Sequence, residues 1–174
     1  MTKPIDVDAD LIQKALDFAT LKHAGQTRKF SGLPYVTHPI NVSAIVQQYC
    51  RSDKNYTDLV IAALAHDLLE DCDVKYSELV SLFGPIVANL VRELSNDEDE
   101  LTAIGKTEYM KKKFVNLTDS ALVIKLADRL DNAQDNMPEK TKVATKEILT
   151  HLIANRILTF TQKQLFDAIL DEIK

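Results

Sequence analysis

The sequence has 174 residues, of which 45% are hydrophobic and 27% are charged, and its formal net charge at pH 7 is −5. The acidic balance argues against broad electrostatic binding of nucleic acid. No apolar run approaches the roughly 18 residues that a membrane span requires. Only four glycines are present, which argues against a sandwich or barrel with many tight turns. We therefore expect an ordinary globular protein.

The length predicts one domain over residues 1–174, with enough chain for a substantial core. Cys50 and Cys72 show no CxxC spacing and are interpreted as reduced thiols. The first residues contain no hydrophobic signal region. A cytoplasmic protein is expected, and the sequence leaves its oligomeric state open.

The first predicted helix begins at Asp8 or Asp10, either of which can cap it, and it ends near Gly25. Residues 26–35 form the clearest non-helical segment. Proline is favoured in the first turn of a helix, so Pro39 predicts that a second helix begins beside His38.

An apolar stretch over residues 61–71 carries His66 and Asp67, followed one turn later by Glu70 and Asp71. In a continuous helix Glu70 lies over His66, and Asp71 lies over Asp67. Four polar groups on such a segment are costly to bury without compensation. A bound cation would supply that compensation.

The later part of the chain also has helical periodicity, with no internal repeat and no convincing strand. Its predicted elements are helices over 77–82 and 85–94, an acidic loop over 96–100, a polar helix over 104–116, an apolar helix over 119–132, and closing helices over 141–158 and 161–173. The last of these has a capping-box spacing from Thr161 to Gln164, and Lys111–Lys113 are interpreted as a solvated face. The predicted fold class is all-α, a bundle of about eight helices.

The candidate metal ligands come from three segments of the chain and are His38, His66, Asp67 and Asp128. Imidazoles together with carboxylates suit Mn²⁺, Fe²⁺, Zn²⁺ or Ni²⁺ better than Mg²⁺ or Ca²⁺. Such an ion activates water and polarises a phosphoryl group. Glu70 and Asp71 are candidates for proton transfer, with their tasks undivided. Alternatively, His38 simply occupies a helix start, and Asp128 forms a surface ion pair with Lys125 or Arg129.

Five motifs, in order along residues 15–135, resemble the hydrolase domain of RelA/SpoT-type proteins within the HD phosphohydrolase superfamily. They are HAGQTRK (23–29), SGLPYVTHP (31–39), AALAHDLLED (62–71), FG (83–84) and IKLADRLDN (124–132). In extent, the chain is most similar to the stand-alone small alarmone hydrolases.

The resemblance implies an HD-domain-like helical bundle that removes the 3′-pyrophosphate from guanosine tetra- or pentaphosphate, usually with Mn²⁺. By motif position, His38, His66, Asp67 and Asp128 match the family's metal ligands, and Glu70 and Asp71 match its catalytic acidic pair. The positions implied to contact the nucleotide are Arg28, Lys29, Ser31, Asn132 and Asp135.

Departures from the family pattern lie on the nucleotide side. Phe30 is an additional residue before Ser31, Asp131 stands where histidine is frequent, and Gln134–Asp135 replaces an expected Arg-Thr. An HD-type phosphohydrolase acting on another phosphorylated nucleotide is therefore the enzymatic alternative. A non-catalytic nucleotide-binding module and a purely structural helical protein are the other two.

Overall fold

The computed structural model describes residues 7–174. Its regular secondary structure in that range is helical, and the only strand-like feature there is an isolated bridge between Thr27 and Pro34. Ten helical segments follow one another. In chain order they are α1 (Ala9–Lys22), α2 (Thr37–Tyr49), α3 (Tyr56–Ala65), α4 (Leu68–Asp71), α5 (Tyr76–Leu94), α6 (Glu98–Ile104), α7 (Lys106–Asn116), α8 (Asp119–Gln134), α9 (Glu139–Asn155) and α10 (Phe160–Glu172).

The predicted all-α class is confirmed. Segments α4 and α6 have four and seven residues, and each of the remaining eight has ten or more. None of the helices described is both long and apolar enough to cross a membrane. The chain divides into two compact units, residues 1–95 and 96–174. The single domain over 1–174 stays a prediction.

The first unit is built around α3, which contacts α1, α2 and α5. Its side chains are buried from Leu59 through Ala65, as expected for a helix that is apolar on all sides. The predicted break between two short helices lies within α5, at Gly84, whose φ of 83° favours glycine. Pro85 follows it and begins the second part of α5.

The second unit contains α6 to α10, in which α8 packs against α10 and α7 packs against α9. Two predictions need correction here. Residues 96–100 are not simply a loop, because Asp97 accepts a hydrogen bond from the backbone N–H of Glu100 and caps α6. The capping box of the last helix is formed by Thr159 and Gln162, two residues earlier than predicted.

Arg156 ties the end of α9 to the end of α7. Its guanidinium donates to the carbonyl oxygens of Val115 (3.1 Å) and Leu117, and to Asp119 Oδ1 (2.6 Å). The last carbonyls of a helix lack partners within the helix, so this side chain satisfies groups that would otherwise need water.

We predict that Arg156→Met lowers the free energy of unfolding by about 1–3 kcal/mol, the range for hydrogen bonds that involve a charged group. Urea denaturation measures it. The control is Lys163→Met, which removes an exposed pair with Asp167 and is expected to cost less than about 0.5 kcal/mol. An equal loss of unfolding free energy in the two variants would contradict the stabilising role assigned to Arg156.

The Arg156 effect also depends on pH. Hydrogen bonds from Gln162 and Arg156 hold the pKa of Asp119 below its usual value. A carboxyl group whose pKa is lower in the folded state stabilises the fold when the pH is above its unfolded-state pKa. This stabilisation is lost as the pH falls through the folded-state pKa. The deficit of Arg156→Met is therefore expected to shrink under acidic conditions.

Candidate metal centre

His66 and Asp67 lie at a break between two helices. The predicted continuous helix is wrong here: α3 ends at Ala65, His66 caps it, and Asp67 precedes α4. One turn is nevertheless retained beyond the break, because the backbone N–H of Asp71 donates to the carbonyl of Asp67 at 2.9 Å. Asp67 and Asp71 are thus one turn apart, as expected, while Glu70 does not share a continuous helix with His66.

The ring of His66 is oriented by its own helix. Nδ1 lies 2.8 Å from the carbonyl oxygen of Ala63, and because a carbonyl only accepts, Nδ1 carries the hydrogen. Nε2 then faces Asp67 Oδ2 at 3.1 Å. A neutral imidazole in this tautomer presents a lone pair on Nε2, which is the form that binds metal.

His38 lies in the first turn of α2, beside Pro39, as predicted. Because α2 packs against α3, the His38 ring comes within 5.0 Å of the His66 ring, centroid to centroid. His38 Nε2 lies 3.6 Å from the same oxygen, Asp67 Oδ2. The side chains of both histidines are almost fully buried, with exposed fractions of 4% for His38 and 1% for His66.

The three side chains fit a divalent ion. Each offers one ligand atom, and these atoms all lie within 4.8 Å of one another. Donors bonded to one ion at about 2.1 Å, at angles of about 90–120°, lie about 3.0–3.6 Å apart, which matches the separations from Asp67 Oδ2. Two imidazole nitrogens and a carboxylate oxygen form a donor set suited to a transition metal.

The acidic pair follows directly, in α4, and both of its residues are exposed. Asp71 Oδ2 lies 3.2 Å from the hydroxyl of Tyr35. Partial burial of the carboxyl and the charge of Asp67 raise the pKa of Asp71, while the Tyr35 hydrogen bond acts in the opposite direction. A raised pKa brings a carboxyl closer to the range in which it can exchange a proton during turnover.

The basic loop after α1 carries three of the predicted nucleotide contacts. Lys29 and Ser31 are exposed, whereas Arg28 is only 6% exposed. The additional residue, Phe30, is 47% exposed, and the Lys29 ammonium lies 5.8 Å from the centre of its ring. A buried guanidinium offers little surface for stacking on a base, whereas Lys29, Phe30 and Ser31 are accessible.

The remaining predicted residues lie in the second unit. Asp128 is buried in α8, with Lys125 Nζ 3.0 Å from its Oδ2 and Asn132 Nδ2 2.5 Å from its Oδ1. Asp128 therefore pairs with Lys125, as the alternative interpretation predicts, but this ion pair is buried and not on the surface. Asp135 directly follows α8 as its C-cap residue. The role of Asp128 as a fourth ligand stays a prediction.

Sequence reasoning missed three residues beside the metal cluster: His23, Gln26 and Tyr35. His23 is 2% exposed and bonded to Gln26. All three lie within the first two resembling motifs, but spacing alone does not reveal that they reach α4 from a distant loop.

Comparison with known proteins agrees with this fold. Residues 15–157 match the family model described as an HD domain. The chain belongs to the HD-domain family, and the resemblance to its RelA/SpoT-type members is confirmed.

Among its relatives is guanosine-3′,5′-bis(diphosphate) 3′-pyrophosphohydrolase MESH1 of Drosophila melanogaster, 39% identical over 127 residues, which are 70% of this chain and 67% of that protein. The guanosine-3′,5′-bis(diphosphate) 3′-pyrophosphohydrolase of Aquifex aeolicus is 36% identical over 153 residues. This stretch is 81% of this chain but only 20% of the Aquifex protein. A solved structure of a metazoan ortholog of SpoT, described as hydrolysing ppGpp, matches with a TM-score of 0.76 and 29% identity over 99% of this chain and 98% of that one.

We predict that Mn²⁺ added to metal-stripped protein raises its melting temperature, because a ligand at about 100 times its dissociation constant stabilises a fold by about 2.7 kcal/mol. Asp67→Asn removes the charge of one donor and should abolish most of this increase. The control is Asp17→Asn, which changes an exposed residue of α1 whose side chain accepts a hydrogen bond from Gln13, one turn earlier in the same helix. If Mn²⁺ raises the melting temperature of Asp67→Asn as much as that of the wild type, the result would contradict Asp67 as a metal ligand.

Proposed function

We propose that this protein is a metal-dependent hydrolase that removes the 3′-pyrophosphate from guanosine tetra- and pentaphosphate, giving GDP and GTP. The observation that carries the proposal is the cluster of the buried His38 and His66 with the half-buried Asp67. Glu70 and Asp71 lie one turn further on. The names of the Drosophila and Aquifex relatives supply the substrate class.

The proposed metal is Mn²⁺, which the mixed nitrogen and oxygen donor set accommodates. His38, His66 and Asp67 would hold it, with Asp128 proposed as the fourth ligand from its position in the motif IKLADRLDN. When bound, the ion lowers the pKa of a coordinated water and polarises the phosphoryl group.

The proposed reaction adds the oxygen of water to the phosphorus attached to the 3′ oxygen. The bond between that phosphorus and the 3′ oxygen breaks, and the 3′ oxygen receives a proton. Glu70 and Asp71 share the proton transfers, one accepting the proton of water and the other delivering a proton to the leaving oxygen. Both carboxylates are exposed, so they are accessible to a substrate.

The proposed nucleotide contacts are Arg28, Lys29, Ser31, Asn132 and Asp135. The substrate is a small nucleotide and not a nucleic acid, in keeping with the net charge of −5. Two cysteines, both free among the described residues, agree with action in the cytoplasm.

The direct test is to incubate metal-stripped protein with guanosine 3′,5′-bis(diphosphate), with and without Mn²⁺, and to measure GDP and pyrophosphate by anion-exchange chromatography. Release of both products only with Mn²⁺ is expected. Glu70→Gln should lower kcat by about 10²–10⁴-fold, the usual contribution of a general acid or base.

Glu78→Gln is the matched control for that variant. It makes the same chemical change on a half-buried residue of α5 that pairs with Lys22 at 3.5 Å, and it should leave kcat unchanged. Absence of metal-dependent pyrophosphate release from the wild-type protein would refute the proposed function.

A second candidate is hydrolysis of a different phosphorylated nucleotide. It is favoured by the burial of Arg28 and by the exposed additional residue Phe30 in the loop proposed to contact the base. Comparing kcat/KM over guanine, adenine and pyrimidine nucleotides, each with and without a 3′-diphosphate, separates the two. The principal proposal predicts the highest value for the guanine 3′-diphosphates, and a clear preference for another base would favour this alternative.

A further inference from the structure

The hydroxyl of Tyr35 lies between the metal cluster and the acidic pair. It donates to Asp67 Oδ2 at 2.7 Å and lies 3.2 Å from Asp71 Oδ2. Asp67 Oδ2 is also the oxygen that faces the Nε2 atoms of His38 and His66. A single side chain therefore contacts one candidate ligand and one candidate proton-transfer group at the same time.

The ring of Tyr35 is held in place on two sides. Its centroid lies 4.9 Å from that of His23 and 5.7 Å from that of His38. A hydroxyl at the tip of a packed ring has a defined position, because two torsion angles fix it and packing restricts both. Tyr35 can thus impose a position on the carboxylates that it contacts.

Gln26 holds the same acidic turn from its backbone. Its Nε2 donates to the carbonyl oxygen of Asp71 at 2.9 Å, and its Oε1 lies 2.7 Å from His23 Nδ1. The carbonyl partner requires the amide nitrogen on that side, so Oε1 accepts from Nδ1–H of His23. His23 is 2% exposed, and its burial fixes the orientation of the Gln26 amide.

Gln26 and Tyr35 belong to one hydrogen-bonded loop. The backbone N–H of Tyr35 donates to the carbonyl of Gln26 at 2.9 Å, and that of Arg28 donates to the carbonyl of Leu33 at 2.8 Å. The loop that closes in this way is the one that presents Lys29 and Ser31. Its two ends therefore contact α4, while its tip carries the proposed nucleotide contacts.

We propose that Tyr35 is a positioning residue, which holds Asp67 toward the metal and keeps Asp71 at a fixed distance from the metal. Gln26, oriented by His23, supports the turn that carries Asp71. The inference rests on the proposed function for its catalytic consequence, but the contact with Asp67 concerns metal binding alone. Groups that hydrogen-bond to metal ligands typically change metal affinity or activity by about 10–100-fold when they are removed.

The experiment compares wild-type protein with Tyr35→Phe, which removes the hydroxyl and keeps the ring packed between the two histidines. The matched control is Tyr76→Phe, which removes a hydroxyl that donates to Asn89 Oδ1 at 2.8 Å on α5. The dissociation constant for Mn²⁺ is measured by titration calorimetry on metal-stripped protein. Values of kcat and KM for guanosine 3′,5′-bis(diphosphate) are then measured at saturating Mn²⁺.

Tyr35→Phe is expected to bind Mn²⁺ about tenfold more weakly and to lose about 10–100-fold in kcat, with KM changed less than about threefold. Tyr76→Phe should match the wild type in all three quantities. A second variant, Gln26→Leu, removes the side-chain amide that bonds to His23 and to the Asp71 turn. It should lower kcat by about fivefold, the worth of one hydrogen bond, while its Mn²⁺ affinity stays at the wild-type value.

Wild-type Mn²⁺ affinity and kcat in Tyr35→Phe would overturn the inference, as would an equal loss in Tyr76→Phe. If the wild-type protein binds Mn²⁺ but does not hydrolyse the nucleotide, the proposed function fails, and the calorimetric comparison of Tyr35→Phe with Tyr76→Phe still decides the positioning role. A lower melting temperature without a change in Mn²⁺ affinity would assign Tyr35 a structural role only and would also overturn it.

Discussion

One carboxylate oxygen, Asp67 Oδ2, is the point on which the site of the first unit depends. Two imidazole Nε2 atoms and the hydroxyl of Tyr35 lie within 3.6 Å of it. The hydroxyl can donate, but a neutral imidazole that already donates through Nδ1 can only accept at Nε2. A shared cation or proton is then needed between His66 and Asp67. The buried apolar helix α3 ends where this polar cluster begins, and a bound cation would compensate for the burial of its polar atoms.

The break after α3 also shapes the cluster and the acidic pair that follows it. A continuous helix would place His66 and Asp67 about 100° apart and lead on into an apolar core. Ending α3 at Ala65 lets both side chains approach His38, while the short turn α4 places Glu70 and Asp71 in an exposed position. The loop over residues 26–35 then contacts this turn from a segment about 40 residues earlier in the chain. Binding groups and proton-transfer groups are thereby held by one set of hydrogen bonds.

Helical periodicity and stop signals were sufficient to predict the all-α class and most helix bounds, because an apolar stripe and a glycine or proline act locally. The break at His66 was not predictable in this way, because the residues around it are Ile, Ala and Leu, which all favour a helix. The His66 ring is also held by a hydrogen bond to the Ala63 carbonyl, which spacing does not reveal. The proximity of His38 to His66 was inferred from chemistry and family likeness, and it depends on how α2 packs against α3. Tyr35 was missed because the two carboxylates that its hydroxyl contacts, Asp67 and Asp71, are more than 30 residues away.

The most direct measurement is the position of the metal itself. Crystals of the protein grown with Mn²⁺ and recorded at a wavelength where manganese scatters anomalously would locate the ion without reference to activity. The metal-site interpretation predicts one strong anomalous peak at about 2.0–2.3 Å from the Nε2 atoms of His38 and His66 and from Asp67 Oδ2. A peak bound by other residues, with these three side chains paired only to one another, would contradict it.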